Sequence, residues 1–243
     1  MEKKESSIFY LGIAQGEIFS GGRRGRRSGL PIKALEKRLE YPGGYVKVSY
    51  AMFPEFAGRG FWTKTGRAWK PKVKQPILQR TLESVRKETV YSEILLAPEL
   101  SVEEQEIPLE LRAAYLHRYA PFERVCVSFS GEGGTFEARE AVLLLSPYLK
   151  RIRTVMFDGE ECGASEMFAD YLYYEYGIMP ERVHKASKRN SQISGEMILL
   201  DFGGRAAAGK NTLPFLCSYR CINNAETLKF LDTTIKNGYN TES

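Results

Sequence analysis

The chain reads as an α/β protein built on a mostly parallel sheet with helices on both faces, preceded by a basic N-terminal region. Three observations predict this. Short apolar runs alternate with amphipathic stretches of ~10–15 residues from about Tyr91 to Gly204, the rhythm of strand–helix–strand units. The runs Ile94-Leu-Leu-Ala97 and Met197-Ile-Leu-Leu200 are apolar along their whole length, as strands covered on both faces must be. With 243 residues and 43% hydrophobic content, the chain can bury a sizeable core.

Taken in order, residues 8–13 predict a first strand. Ser20-Gly-Gly-Arg-Arg-Gly-Arg-Arg-Ser-Gly29 is too glycine-rich and too self-repelling to fold alone. Residues 31–39 predict a short helix, because Pro31 suits a first helical position and Leu35 and Leu39 share a helical face. Tyr41-Pro-Gly-Gly44 is a turn, and the alternating, Val- and Tyr-rich residues 45–53 a strand. Residues 54–76 have no clean period and read as a long loop or arm. Residues 76–90 place Ile77, Leu78, Leu82 and Val85 at helical spacing.

The regular part follows. Strands are expected at 93–97, 124–129, 152–157, 182–185 and 197–202. Helices are expected at 108–119, 135–149, 164–176 and 225–236. The expected division is a basic region, 1–90, and an α/β core, 91–243. No run approaches the ~20 apolar residues of a membrane helix, and the start lacks a signal-peptide pattern, so the expected location is cytoplasmic with no membrane partner.

Charge is segregated. Residues 20–90 carry 17 Lys/Arg against 5 Asp/Glu, and residues 91–170 carry 7 against 15. The four cysteines lack zinc or redox spacing: Cys217 and Cys221 are separated by three residues, and His117 and His184 lie far from them. Reduced thiols are the expected state.

In open parallel sheets, ligands bind beyond the carboxyl ends of the strands. Three turns are predicted to meet there: Ser130-Gly-Glu-Gly-Gly-Thr135, Asp158-Gly-Glu-Glu161 and Asp201-Phe-Gly-Gly204. Glycines permit a close backbone approach, and the N-terminus of the following helix favours an anion. Gly131-Glu-Gly-Gly-Thr-Phe-Glu-Ala138 resembles the GxGGxxxA loop of shikimate dehydrogenase-type Rossmann domains, through Gly131, Gly133, Gly134 and Ala138. Asp158 lies 24 residues beyond Gly134, near the ~20-residue spacing of a ribose-binding acid. The resemblance implies a Rossmann-like core and a nucleotide cofactor, NAD or another, held by Gly131, Gly133, Gly134 and Asp158, and the position of the sheet edge adds Thr135, Asp201 and Gly203. Two features depart from it. Phe136 stands where the GxGxxG spacing has its third glycine, and Glu132 and Glu137 bring negative charge to the loop.

Catalytic chemistry is not legible. Phe129 replaces the first glycine of a nucleophile elbow around Ser130, and Asp201-Phe-Gly203 lacks every companion motif of a kinase. Asp158, Glu160 and Glu161 can hold Mg²⁺ or form a solvated acidic loop.

The basic arm is the second constellation. Arg23, Arg24, Arg26 and Arg27, with Lys70 and Lys72, can neutralise phosphates while Trp62 and Trp69 stack on bases. Three expectations follow: a small-molecule site at the sheet edge, a nucleic acid or other partner on the arm, and docking of the arm on the acidic half of its own chain or, in a homo-oligomer, of another copy.

Overall fold

A computed structural model describes residues 4–14, 35–54, 75–87, 90–101, 105–132, 134–182, 196–203 and 218–241. The chain forms two compact units. One comprises Met1–Glu110 with Leu228–Ser243, the other Leu111–Thr227.

The first unit holds a four-stranded sheet in the order β2-β3-β1-β4. Strand β1 (Lys4–Ala14) pairs in parallel with β3 (Gly44–Pro54) along its whole length. Its other edge takes β4 (Glu93–Leu96), also in parallel. The backbone bonds Ser92 N to Ser7 O and Ala97 N to Leu11 O, both 2.8 Å, extend that pairing. Central β1 is buried on both faces: Ile8, Phe9, Tyr10 and Leu11 are all in the core. Helix α1 (Gln75–Lys87) buries Leu78 and Val85.

Two expectations are corrected here. Residues 31–39 were expected to be helical, yet Leu35–Tyr41 is strand β2, antiparallel to β3. Leu35 and Leu39, four apart, suit either period. The decisive pattern is charge: Glu36, Arg38 and Glu40 are exposed while Leu35, Lys37 and Leu39 are half-buried, a period of two. The expected turn closes this hairpin, with Gly43 at φ 106°, a conformation open to glycine. The second correction concerns the run at 93–97, expected in the core sheet: it is β4 of this sheet. Four apolar residues reveal burial but not the sheet they join.

Among the described residues, the second unit holds five strands, all parallel: β5 (Arg124–Ser128), β6 (Thr154–Asp158), β7 (Glu181–Arg182), β8 (Glu196–Asp201) and β9 (Ser218–Ile222). Their order is β7-β6-β5-β8-β9. Counted from β5, that is third-second-first-fourth-fifth, the start of the doubly wound Rossmann order. The α/β fold with a mostly parallel sheet and helices on both faces is therefore present. Helix α2 (Leu109–His117) precedes β5, and α3 (Gly134–Leu145) and α4 (Gly163–Tyr176) follow β5 and β6. Helix α5 (Asn224–Thr241) follows β9.

Pleat parity divides the core. Phe129 and Phe157 lie on one side and meet Phe168 of α4 at ring-centroid distances of 6.1 Å each. Cys126, Met156, Met197 and Leu199 lie on the other, with Cys221 packed against them. Helix α3 stops at Leu145 rather than continuing to 149. Pro147 disfavours helix at the residue before it and supplies no N–H, so a 3₁₀ turn, Leu149–Arg151, follows instead. Strand β9 was not foreseen.

Candidate ligand site at the carboxyl edge of the parallel sheet

From β5 the chain crosses one way to β6 and later the other way to β8. The connections diverge between β5 and β8, the switch point beside which open α/β sheets bind ligands at the carboxyl ends of the strands.

The last pleat of the sheet carries a polar row. Ser128 stands opposite Asp158 on one side and Asp201 on the other. Residues paired in parallel register share a face, so all three side chains follow Cys126, Met156 and Leu199 by one pleat on the same face. Strands ~4.8 Å apart set this row at about 10 Å from end to end. Ser128 and Asp201 are buried and Asp158 is half-buried. The electrostatics agree with this placement: burial first, then the carboxylates of Asp158 and Asp201, push the Cys126 thiol up.

Beyond β5 comes the glycine loop. Gly131 has φ 82° and Gly134 φ 54°, left-handed conformations that glycine adopts without strain. A side chain grafted on either would meet no atom within 4 Å, so backbone conformation rather than crowding sets the requirement. Ala138 is fully buried, as a close helix-to-strand approach requires.

Glu137 has an unexpected role. It is buried in the first turn of α3. Its carboxylate accepts the Ser130 backbone N–H at 2.8 Å and the Ser130 hydroxyl as well. The Ser130 hydroxyl oxygen in turn accepts the Glu132 N–H at 3.2 Å. The chain's own carboxylate thus occupies the start of α3, where the helix dipole favours negative charge. The expectation that Glu137 merely opposes a pyrophosphate is replaced by this structural part.

Arg112 of α2 is the other residue that the sequence did not reveal. Only 4% of it is exposed. Its Nη1 donates to Glu140 Oε2 at 3.0 Å, and its guanidinium lies 4.7 Å from the centre of the Phe202 ring. Phe202 stacks on Phe129, and its N–H donates to Ser128 O at 2.9 Å, continuing the ladder past β8. Burial lowers the Arg112 pKa, and Glu140 and Asp201 oppose that shift. The signal in sequence was a lone arginine within Leu109-Glu-Leu-Arg-Ala-Ala-Tyr-Leu116.

Of the expected site residues, Gly131, Asp158, Asp201 and Gly203 fall on the carboxyl-edge loops and strand ends, and Gly134 and Thr135 open helix α3. Gly133 lies outside the described residues. So do Arg23, Arg24, Arg26, Arg27, Trp62, Trp69, Lys70 and Lys72 of the arm. Among the described residues, no three metal-ligating side chains come together. Glu161, considered for Mg²⁺, instead forms an ion pair with Arg182.

Set against known proteins, the chain matches no family model, no curated protein and no solved structure. The carboxyl edge presents the half-buried Asp158 carboxylate, an acceptor group, and the exposed glycine backbone at Gly131.

Proposed function

We propose that the Leu111–Thr227 unit binds a nucleoside-bearing small molecule, a nucleotide cofactor such as NAD among the candidates, at the carboxyl edge of its parallel sheet. The observation that carries this is the row Asp158–Ser128–Asp201 at the switch point. A carboxylate accepts two hydrogen bonds from adjacent hydroxyls, and the end of the strand after the glycine loop is where a ribose is gripped in this topology.

The chemistry favours the ribose over the phosphates as the anchor. Glu137 already takes both donors of Ser130. Glu132, Glu160 and Glu161 add exposed negative charge around the edge. A phosphate there gains the helix dipole but meets these carboxylates, whereas hydroxyl donors meet acceptors only.

The test is thermal stabilisation by adenosine, its phosphates, NAD and inorganic phosphate, measured separately. Binding at 100 times Kd adds about 2.7 kcal/mol to stability. Adenosine-bearing ligands are expected to raise the melting temperature, and Asp158→Asn to remove that rise while leaving the unliganded melting temperature within a few degrees. A panel without any shift sinks the proposal, as does a shift that inorganic phosphate alone reproduces in the Asp158→Asn variant.

A further inference from the structure

The outward surface of α4 differs from every other described helix. Residues 160–181 contain six carboxylates, Glu160, Glu161, Glu166, Asp170, Glu175 and Glu181, and no lysine, arginine or histidine. Among the described residues, Glu166, Asp170 and Glu175 make no ion pair. Glu166 and Asp170 stand four apart on the helix, so they are neighbouring like charges that weaken it in isolation.

Apolar surface is exposed among these charges. Tyr174 is 78% exposed, Met179 76%, Tyr173 54% and Met167 36%. Met167, Asp170 and Tyr174 follow one helical face, and Glu166, Asp170 and Tyr173 its neighbour. Such a mixture of exposed aromatic and methionine side chains is what a binding surface offers.

The same chain contains the complementary sequence. Segment 55–74 carries six cations, Arg59, Lys64, Arg67, Lys70, Lys72 and Lys74, against the single acid Glu55. It also carries Phe56, Phe61, Trp62 and Trp69. Arg and Lys over tyrosine rings add cation–π attraction to the ion pairs. We propose that the outer face of α4 docks segment 55–74 of a second copy of this chain. The contact is heterologous, so two copies close it reciprocally about a two-fold axis or extend it head to tail. It is independent of the ligand proposal above.

The test uses full-length protein, nuclease-treated, in sedimentation. Wild type is expected to associate at low salt and to dissociate as ionic strength rises from about 0.05 M to about 0.5 M. Two sets of charge reversals separate the partners: Glu166→Lys, Asp170→Lys and Glu175→Lys on the exposed face, and Lys64→Glu, Lys70→Glu and Lys72→Glu on the segment. Each set alone is expected to weaken association by ~100-fold or more, since like charges then face one another. Mixing the two variants is expected to restore a hetero-association. Circular dichroism and melting establish that both variants remain folded. Wild type that sediments as a monomer at low salt overturns the proposal. So does association that the face reversal leaves intact. Loss of association on nuclease treatment overturns it too, because the arm then takes a nucleic acid rather than another copy.

Discussion

Arg112 shows how one buried charge is held. Its guanidinium has the Glu140 carboxylate at 3.0 Å and the Phe202 ring beneath it, while its Nε lacks a hydrogen-bond partner among the described residues. Burial and pairing therefore pull in opposite directions. Removing one partner of a fully buried pair costs about 3–5 kcal/mol, and replacing both by apolar groups is close to neutral. Glu140 is half-buried, so Arg112→Ala is expected to lose less, about 2 kcal/mol in urea unfolding, and Arg112→Met with Glu140→Leu to recover most of it. A loss below about 1 kcal/mol in the single variant would show that the pair carries no such charge burden. At this scale the site was partly legible. Gly131, Asp158 and Asp201 stand out because they end apolar runs. Ser128, Glu137 and Arg112 do not, because their meaning depends on strand register and on which groups face them after folding.

At the scale of elements, Asn223 joins strand to helix. It is buried, its Oδ1 accepts the Glu226 N–H at 2.8 Å, and its carbonyl accepts the Thr227 N–H at 2.9 Å and the Thr227 hydroxyl at 2.7 Å. That is the N-cap geometry of α5, with the side chain satisfying an amide that the helix itself cannot. Asn223→Ala is expected to lower stability by about 1 kcal/mol, or more given its burial, while Asn223→Asp keeps the acceptor and stays near wild type. Equal losses in the two variants would show that the acceptor oxygen is not what matters. The sequence expected the last helix to begin at residue 225, close to its observed start. It overlooked β9 immediately before it, because Ser218-Tyr-Arg-Cys-Ile222 has one strongly apolar end and an exposed middle, as an edge strand has. The helix expected at 31–39 failed for a related reason. Periodicity over so few residues does not separate period two from period 3.6, whereas pairing with β3 does.

At the scale of the whole molecule, composition drew the boundary near residue 90, where basic gives way to acidic. The compact units instead change over within α2, between Glu110 and Leu111, and within α5, between Thr227 and Leu228. Charge marks what solvent and partners meet, while the boundary follows strand pairing and buried contacts, so the two need not coincide. Both units share one property: burial raises the pKa of tyrosine hydroxyls or cysteine thiols within them. Burial, reinforced by Asp232, pushes the Tyr10 hydroxyl up in the first. In the second, burial pushes up the Cys126 thiol and the Tyr115 hydroxyl, raises Cys221 from 9.0 to about 12 and raises Tyr148 from 10.0 to about 12. Each of these tyrosine and cysteine shifts has the same sign. The folded chain keeps protons that the unfolded chain releases, so stability falls as pH rises wherever the unfolded state binds fewer protons. The full stability is present below about pH 9, where neither state has ionised these groups, and is lost progressively between about pH 9 and about pH 12. The urea midpoint is therefore expected to decline steadily from about pH 9 upward, with alkylation at about pH 8 modifying the half-buried Cys162 well before Cys126. A midpoint that stays level to about pH 11, or a Cys126 alkylated as fast as Cys162, would mean that these groups are open to water in the folded protein.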